Sequence, residues 1–189
     1  MFERLVSKIA AKASQAFTLL QLFSSQCAAT TAVEFGLLAA PFLALSFAIL
    51  QTGIIFFTSQ ALESAAATSA RLILTGAAQT RGWSAAQFKQ QVCNTISGLF
   101  NCQNGVYVDV ETYSSFASVN LGMPVTNGNF SSEGLGYNPG GPGDIVVVRL
   151  YYQYPVAISL LGFKLSNLNG GYDLLTATAV FKNEPYAPS

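Results

Sequence analysis

Phe35–Phe57, FGLLAAPFLALSFAILQTGIIFF, decides the architecture: 23 residues without a charged side chain. Its only polar side chains are Ser46, Gln51 and Thr52. As a helix it extends about 34 Å at 1.5 Å per residue, enough for about 30 Å of bilayer hydrocarbon. The competing reading is the core helix of a soluble protein. The run is long for that role, and the rest of a 189-residue chain is too small to wrap it. Pro41, in the second turn, removes a backbone hydrogen bond and favours a kink. Beyond the bilayer the helix is expected to continue through Thr58–Thr75, which is rich in alanine and free of Pro and Gly. Gly76 then suits the left-handed residue that ends it. The whole helix would begin near Thr31.

The flanks set an orientation. Arg4, Lys8 and Lys12 precede the apolar run, and the next basic residues after it are Arg71 and Arg81. The positive-inside rule then puts the N-terminus in the cytoplasm and everything after Phe57 outside. Within Met1–Ala29 the basic residues recur every four positions, with Phe2, Leu5, Ile9 and Phe17 off that stripe. This pattern suits an amphipathic segment on the inner membrane surface. A secretory signal peptide is the alternative, with Ala16–Phe23 as a short apolar core that carries Gln21. Cys27 is a poor lipoprotein acceptor, since Ser25 and Gln26 precede it.

Composition narrows the chemistry. Nine basic and nine acidic side chains cancel, and charged residues are 10% of the chain, against roughly 25% in an ordinary soluble domain. So few cations argue against nucleic-acid binding. Apolar types make up 51%, and the mean hydropathy is +0.40, which argues against disorder. Without histidine there is no Ser-His or Cys-His dyad and no imidazole metal site. No metal, cofactor or enzymatic activity is expected.

After Gly76 the pattern is mixed. Ser84 and Gln87 form a capping box, with Trp83 and Phe88 as its hydrophobic staple. The helix they start should run to about Leu99, with Phe88, Val92, Thr95, Ile96 and Leu99 at helical spacing. Three strands follow: Val106–Glu111, with Val106, Val108 and Val110 on one face; Ile145–Tyr154, apolar enough to be central; and Leu174–Phe181. Helix then sheet points to an α+β fold with antiparallel pairing.

Cys93 and Cys102, nine apart, would be bridged in an oxidising space, contributing about 2.5–3 kcal/mol; the alternative is two reduced core thiols. Between Ser114 and Gly143 lies a Gly-, Asn- and Ser-rich loop. Its end, Pro139–Asp144, lacks the Gly-Lys-Ser/Thr sequel of a phosphate loop and reads as a rigid turn into the strand at Ile145. Asp144 could instead be a cation ligand. Asp109 and Glu111 share one strand face and read as a solvated edge. Tyr107, Tyr151, Tyr152 and Tyr154 are expected to pack the sheet.

Glu34 sits directly against the apolar helix. Thr31 as N-cap and Glu34 at the third helical position would form a second capping box. A carboxylate at the edge of a membrane helix also asks for a positive partner, such as an α-amino group freed by cleavage just upstream. Small residues, then Thr30-Thr31-Ala32-Val33-Glu34-Phe35, then an apolar helix with an early proline, resemble the processing site of the TadE family. These are minor pilins, or pseudopilins, of the tight-adherence (Tad/Flp) pilus system. Arg71–Gly76, Tyr137–Asp144 and Thr176–Pro185 are similar to TadE segments in the same order.

The resemblance implies cleavage by a dedicated prepilin peptidase between Ala29 and Thr30, making Glu34 the fifth residue of the mature chain. Cys27 would leave with the leader. Glu34 and Phe35 would serve recognition and assembly. It implies a leader over 1–29, a transmembrane helix and its extension over 30–76, and a pilin-like extracytoplasmic α+β domain over 77–189. The protein would be a single-pass protein of the bacterial inner membrane, with its C-terminal domain periplasmic. Its partners would be the prepilin peptidase, other minor pilins, the major Flp pilin, the Tad secretion machinery and the lipid bilayer. Its role would be structural, in biogenesis of adhesive pili. The alternative is a permanently anchored periplasmic binding or sensor domain with an intact N-terminus, using Tyr151–Tyr154 and the Gly-rich loop as its ligand site.

Overall fold

The computed structural model describes residues 27–96, 101–156 and 166–186. The expectations for the leader lie outside these residues; the helix started at Ser84 ends at Thr95, short of the expected Leu99, with Ile96 as its C-cap at φ -113° and ψ 19°. The chain divides into two compact units, Met1–Phe47 and Ala48–Ser189.

Helix α1 spans Cys27–Leu74 and contains Pro41. In the first unit its side chains stand open: Val33, Phe35, Leu37, Leu38 and Phe42 are each about 70% exposed. Among the described residues it is the one helix long and apolar enough to cross a membrane. Inside lipid every polar group needs a partner in its own segment. The Ser46 hydroxyl accordingly donates to the Phe42 carbonyl at 2.9 Å.

In the second unit α1 buries one stripe. Leu62, Ala65, Ala66, Ser69, Ala70 and Ile73 recur at three- and four-residue steps, and each is at most 5% exposed. Small residues alternate with Leu62 and Ile73, which lets the helix lie close on a sheet. Gly76 ends this region at φ 75°, and its N–H donates to the Ile73 carbonyl at 2.9 Å. A one-turn helix α2 (Ala77–Thr80) follows. Helix α3 (Ala85–Thr95) begins with the expected box: Ser84 Oγ accepts from the Gln87 N–H, and Gln87 Oε1 accepts from the Ser84 N–H at 2.8 Å. It buries Phe88, Val92 and Cys93. After helix α4 (Cys102–Gly105) the chain enters the sheet. A disulfide joins Cys93 of α3 to Cys102 of α4.

The sheet has strands β1 (Val106–Tyr113), β4 (Ile145–Pro155) and β5 (Tyr172–Lys182), in the antiparallel order β1-β4-β5. β4 is central, as its apolar run required; Ile145 to Tyr152 are all buried. Side chains alternate. Val106, Val110, Val146, Val148, Leu150, Leu175 and Ala177 meet the helices in one core. On the other face Tyr151, Leu168 and Leu174 form a smaller cluster with Tyr107, Val125, Phe130 and Leu135.

Part of that second cover comes from an unexpected hairpin, β2 (Val125–Thr126) and β3 (Asn129–Phe130). Asn127 and Gly128 turn it with φ of 52° and 76°, the left-handed pair of a tight hairpin. Asn169 holds the turn, its Nδ2 donating to the Asn127 carbonyl at 2.8 Å. The architecture is α+β: a long apolar helix, short helices and a three-stranded antiparallel sheet.

Candidate functional site

Three places could carry function. The first is the start of α1. Thr30, Thr31, Glu34 and Phe35 are all exposed, on a helix already formed from Cys27. Thr31 is therefore an interior helical residue and not the N-cap, so the expected Thr31–Glu34 capping box is not made. Ala28 and Ala29 are good helix formers and carry the helix upstream of it. The helix passes through both residues of the expected cut, Ala29 and Thr30.

The second is the face of the sheet opposite the helices. Here the reading of Asp109 and Glu111 as a solvated edge is wrong. Asp109 is 1% exposed, and Arg149 stands opposite it on β4. Arg149 Nη2 lies 2.6 Å from Asp109 Oδ2 and 2.8 Å from Glu111 Oε2, and Nε donates to Asp109 Oδ2 at 2.9 Å. Nη1 donates to the Asn120 carbonyl at 3.0 Å. Asp109 Oδ1 accepts from the Gly136 N–H at 2.8 Å, and the Tyr113 hydroxyl donates to Glu111.

Burial lowers the Arg149 pKa, but the facing charges, Asp109 foremost, raise it by more, so it stays cationic. Donation to Glu111 raises the Tyr113 pKa. An open cavity of about 290 Å³ lies over the cluster, lined by Asp109, Glu111, Tyr113, Glu133, Arg149 and Tyr151 among others. Of the alternative ligand site, Tyr151 joins Gly122 and Gly134 here. Tyr152 and Tyr154 pack against the helix-side core instead. Each of the three guanidinium nitrogens of Arg149 is engaged with a protein oxygen, so the cluster pins the loop around Asn120 and Gly136 to the sheet.

The sequence did carry a signal for this. Arg149 interrupts the most apolar strand of the chain, and a cation there needs a buried partner.

The third place is the end of α1, where segments far apart in sequence converge. Pro139–Asp144 makes the expected turn. The Gly141 N–H donates to Asp144 Oδ2 at 2.7 Å, which gives this carboxylate a structural task. Asn183, 3% exposed, donates from Nδ2 to the carbonyls of Pro139 and Gly141, both at 3.0 Å. Gln79 donates to Pro139 O at 2.9 Å and to Ile73 O at 3.2 Å. The Glu184 N–H donates to the Leu74 carbonyl at 2.9 Å, capping the end of α1. Tyr186 lies against Gly76, where an added Cβ would come 2.3 Å from its ring. Arg71–Gly76, Tyr137–Asp144 and Thr176–Pro185 thus meet at one junction.

A long lipid-compatible helix joined to a small α+β unit defines a candidate single-pass membrane anchor. Residues 29–71 match the family model described as TadE-like protein. That match begins at Ala29 and covers the whole apolar stretch, and it associates this segment with the Tad pilus. No curated protein and no solved structure matches the chain.

Proposed function

We propose that this protein is a minor pseudopilin of Tad/Flp pilus biogenesis, an assembly component without catalytic activity of its own. One observation carries the reading. The family match starts at Ala29, beside the expected cut, and spans a helix whose large apolar side chains, among the described residues of the first unit, are half to three-quarters exposed. Cleavage between Ala29 and Thr30 would free an amino group four residues ahead of Glu34. The new amine and the Glu34 carboxylate, on one chain or on neighbours, offset each other's charge when helices leave lipid for one another. Gly36, Ala39, Ala40, Ala44 and Gly53 allow close approach of a neighbouring helix.

On this reading the protein sits in the inner membrane with its N-terminus cytoplasmic and its sheet unit periplasmic. It is a substrate of the prepilin peptidase and works beside other minor pilins, the major Flp pilin and the Tad secretion machinery.

N-terminal sequencing of the protein from membranes tests this first. Thr30 as the first residue supports the pseudopilin, and Met1 supports a permanent anchor. Ala29→Phe should block the size change, and Glu34→Gln should reduce piliation while leaving expression intact. If both variants behave as wild type, the assembly role of this site is refuted.

A further inference from the structure

We infer that one end of the sheet unit, formed by Tyr154, Pro155, Val156 and Tyr172, is a second membrane contact of this chain, seated in the headgroup layer of the leaflet on its own side. This contact presupposes that α1 crosses the membrane, as proposed above, and adds where the sheet stands relative to the lipid.

α1 carries the depth mark. The charge-free run ends at Phe57, and its last part, Ala48–Phe57, belongs to the second unit. The buried stripe of α1 does not stop at the edge of that run. It continues from Leu62 through Thr58 and Ile55 to Gln51, at the same three- and four-residue steps. Thr58 is 6% exposed and Gln51 7%, and Ile55 packs against the main core. The other side of this turn stays open: Ile54, Phe56 and Phe57 are all exposed. Gln51 lies about 9 Å along the helix from the end of the run. The cover on α1 within the second unit therefore reaches past the level at which Phe56 and Phe57 meet lipid.

The ladder fixes which end of the sheet comes to that level. At the far end the Glu184 N–H, two residues past β5, donates to the Leu74 carbonyl, and Lys182 pairs with Ile145. From Lys182 the strand returns to Tyr172, which pairs with Pro155. That length of strand covers about 33 Å, as much as about 22 residues of helix. Counted back from Leu74, it ends level with Thr52, and a tilt of about 40° between strand and helix moves the level only to Phe57. Tyr154 accordingly packs against the same core as Ile55.

The side chains are sorted in the same sense. The far end holds Arg71, Asp144, Lys182 and Glu184. The near end presents Tyr154, Pro155, Val156 and Tyr172, and Tyr172 is 41% exposed. Tyrosine rings favour the headgroup level, with an apolar body and a polar tip. Among the described residues of this end, 154–156 and 166–173, Asp173 is the one charged residue. Burial raises its pKa, so it gives up its charge more readily than an ordinary carboxylate. By sequence the joining residues 157–165, AISLLGFKL, add Lys164 alone. An end so poor in charge, level with the apolar run of its own helix, suits lipid as its partner.

The test uses the full chain with Cys27→Ser as background, reconstituted in phosphatidylcholine vesicles that contain lipids with a nitroxide near the headgroup. Single cysteines carry an environment-sensitive fluorophore. Tyr172→Cys and Pro155→Cys mark the contact, Lys182→Cys the far end of the sheet, and Phe56→Cys the open side of α1. Trp83 emission in vesicles without nitroxide confirms that each variant is folded. The expected result is strong quenching at Phe56, and quenching at Tyr172 or Pro155 several-fold above that at Lys182. If Phe56 is quenched while neither contact position exceeds Lys182, the membrane contact is overturned and α1 remains in the bilayer. An unquenched Phe56 overturns the membrane reading of α1, and the contact with it.

Discussion

Replacing Arg149 with methionine should be among the most damaging single changes in the sheet unit. The substitution keeps a long flexible stem and removes the charge. Asp109, 1% exposed, then holds a buried carboxylate whose remaining partner is the Gly136 N–H. Breaking one side of such a pair costs about 3–5 kcal/mol, because the stranded charge has lost its compensation. With a urea slope of about 2 kcal/mol per molar, the unfolding midpoint should fall by about 2 M.

Glu111 is the contrast. Its side chain is 36% exposed, so Glu111→Gln should cost no more than about 1 kcal/mol. Asp109→Asn combined with Arg149→Met removes both charges and keeps an oxygen for the Gly136 N–H. This double variant should recover more than half of the loss. The assay is urea unfolding of the full chain in mild detergent, followed by the emission of Trp83, the single tryptophan. A cost below about 1 kcal/mol for Arg149→Met, or a double variant no more stable than the single, would refute the argument that the buried pair holds this face.

Reducing the Cys93–Cys102 bond, or changing both to alanine, should lower stability by about 2.5–3 kcal/mol, seen as an earlier urea midpoint. Gly76→Ala forces φ 75° on a residue with a side chain and drives its Cβ into Tyr186. We expect a loss of at least about 1 kcal/mol and faster amide exchange at Glu184; unchanged exchange would contradict the close contact. Tyr137 packs against Phe88 with a buried hydroxyl that has no hydrogen-bond partner among the described residues, and burial pushes its pKa up to about 12. An acid whose folded pKa is raised favours the folded state below its ordinary value near 10, and that advantage is lost as pH climbs towards 12. Tyr137→Phe should therefore move alkaline unfolding to higher pH; no shift in the pH midpoint would count against it.

The parts of the fold that follow from local chemistry were legible in the sequence. The Ser84–Gln87 box, the left-handed Gly76 and the central β4 each depend on a few neighbours, and each stands where the pattern put it. The Thr31 cap failed because nothing in Cys27–Thr30 stops a helix, so a good capping sequence was bypassed by continued winding. The β2–β3 hairpin was hidden in a Gly- and Asn-rich loop, although Asn127-Gly128 is a strong turn signal. Its strands are only two residues each, too short for alternation to be seen.

Asp109 was misread for a different reason. Its burial depends on a strand forty positions away, and only the Arg149 anomaly in β4 pointed to it. The convergence of Arg71–Gly76, Tyr137–Asp144 and Thr176–Pro185 at the end of α1 is of the same long-range kind.

That convergence bears on when the unit can become whole. The carbonyl at the end of α1 and the Pro139–Asp144 turn are both fastened by Asn183 and Glu184, which the ribosome adds long after the helix. A chain held before those residues would lack the clasp, however completely its helix had formed. Premature termination a few codons before Asn183 should therefore leave an inserted helix bearing an unfinished sheet, a ready target for quality-control proteases.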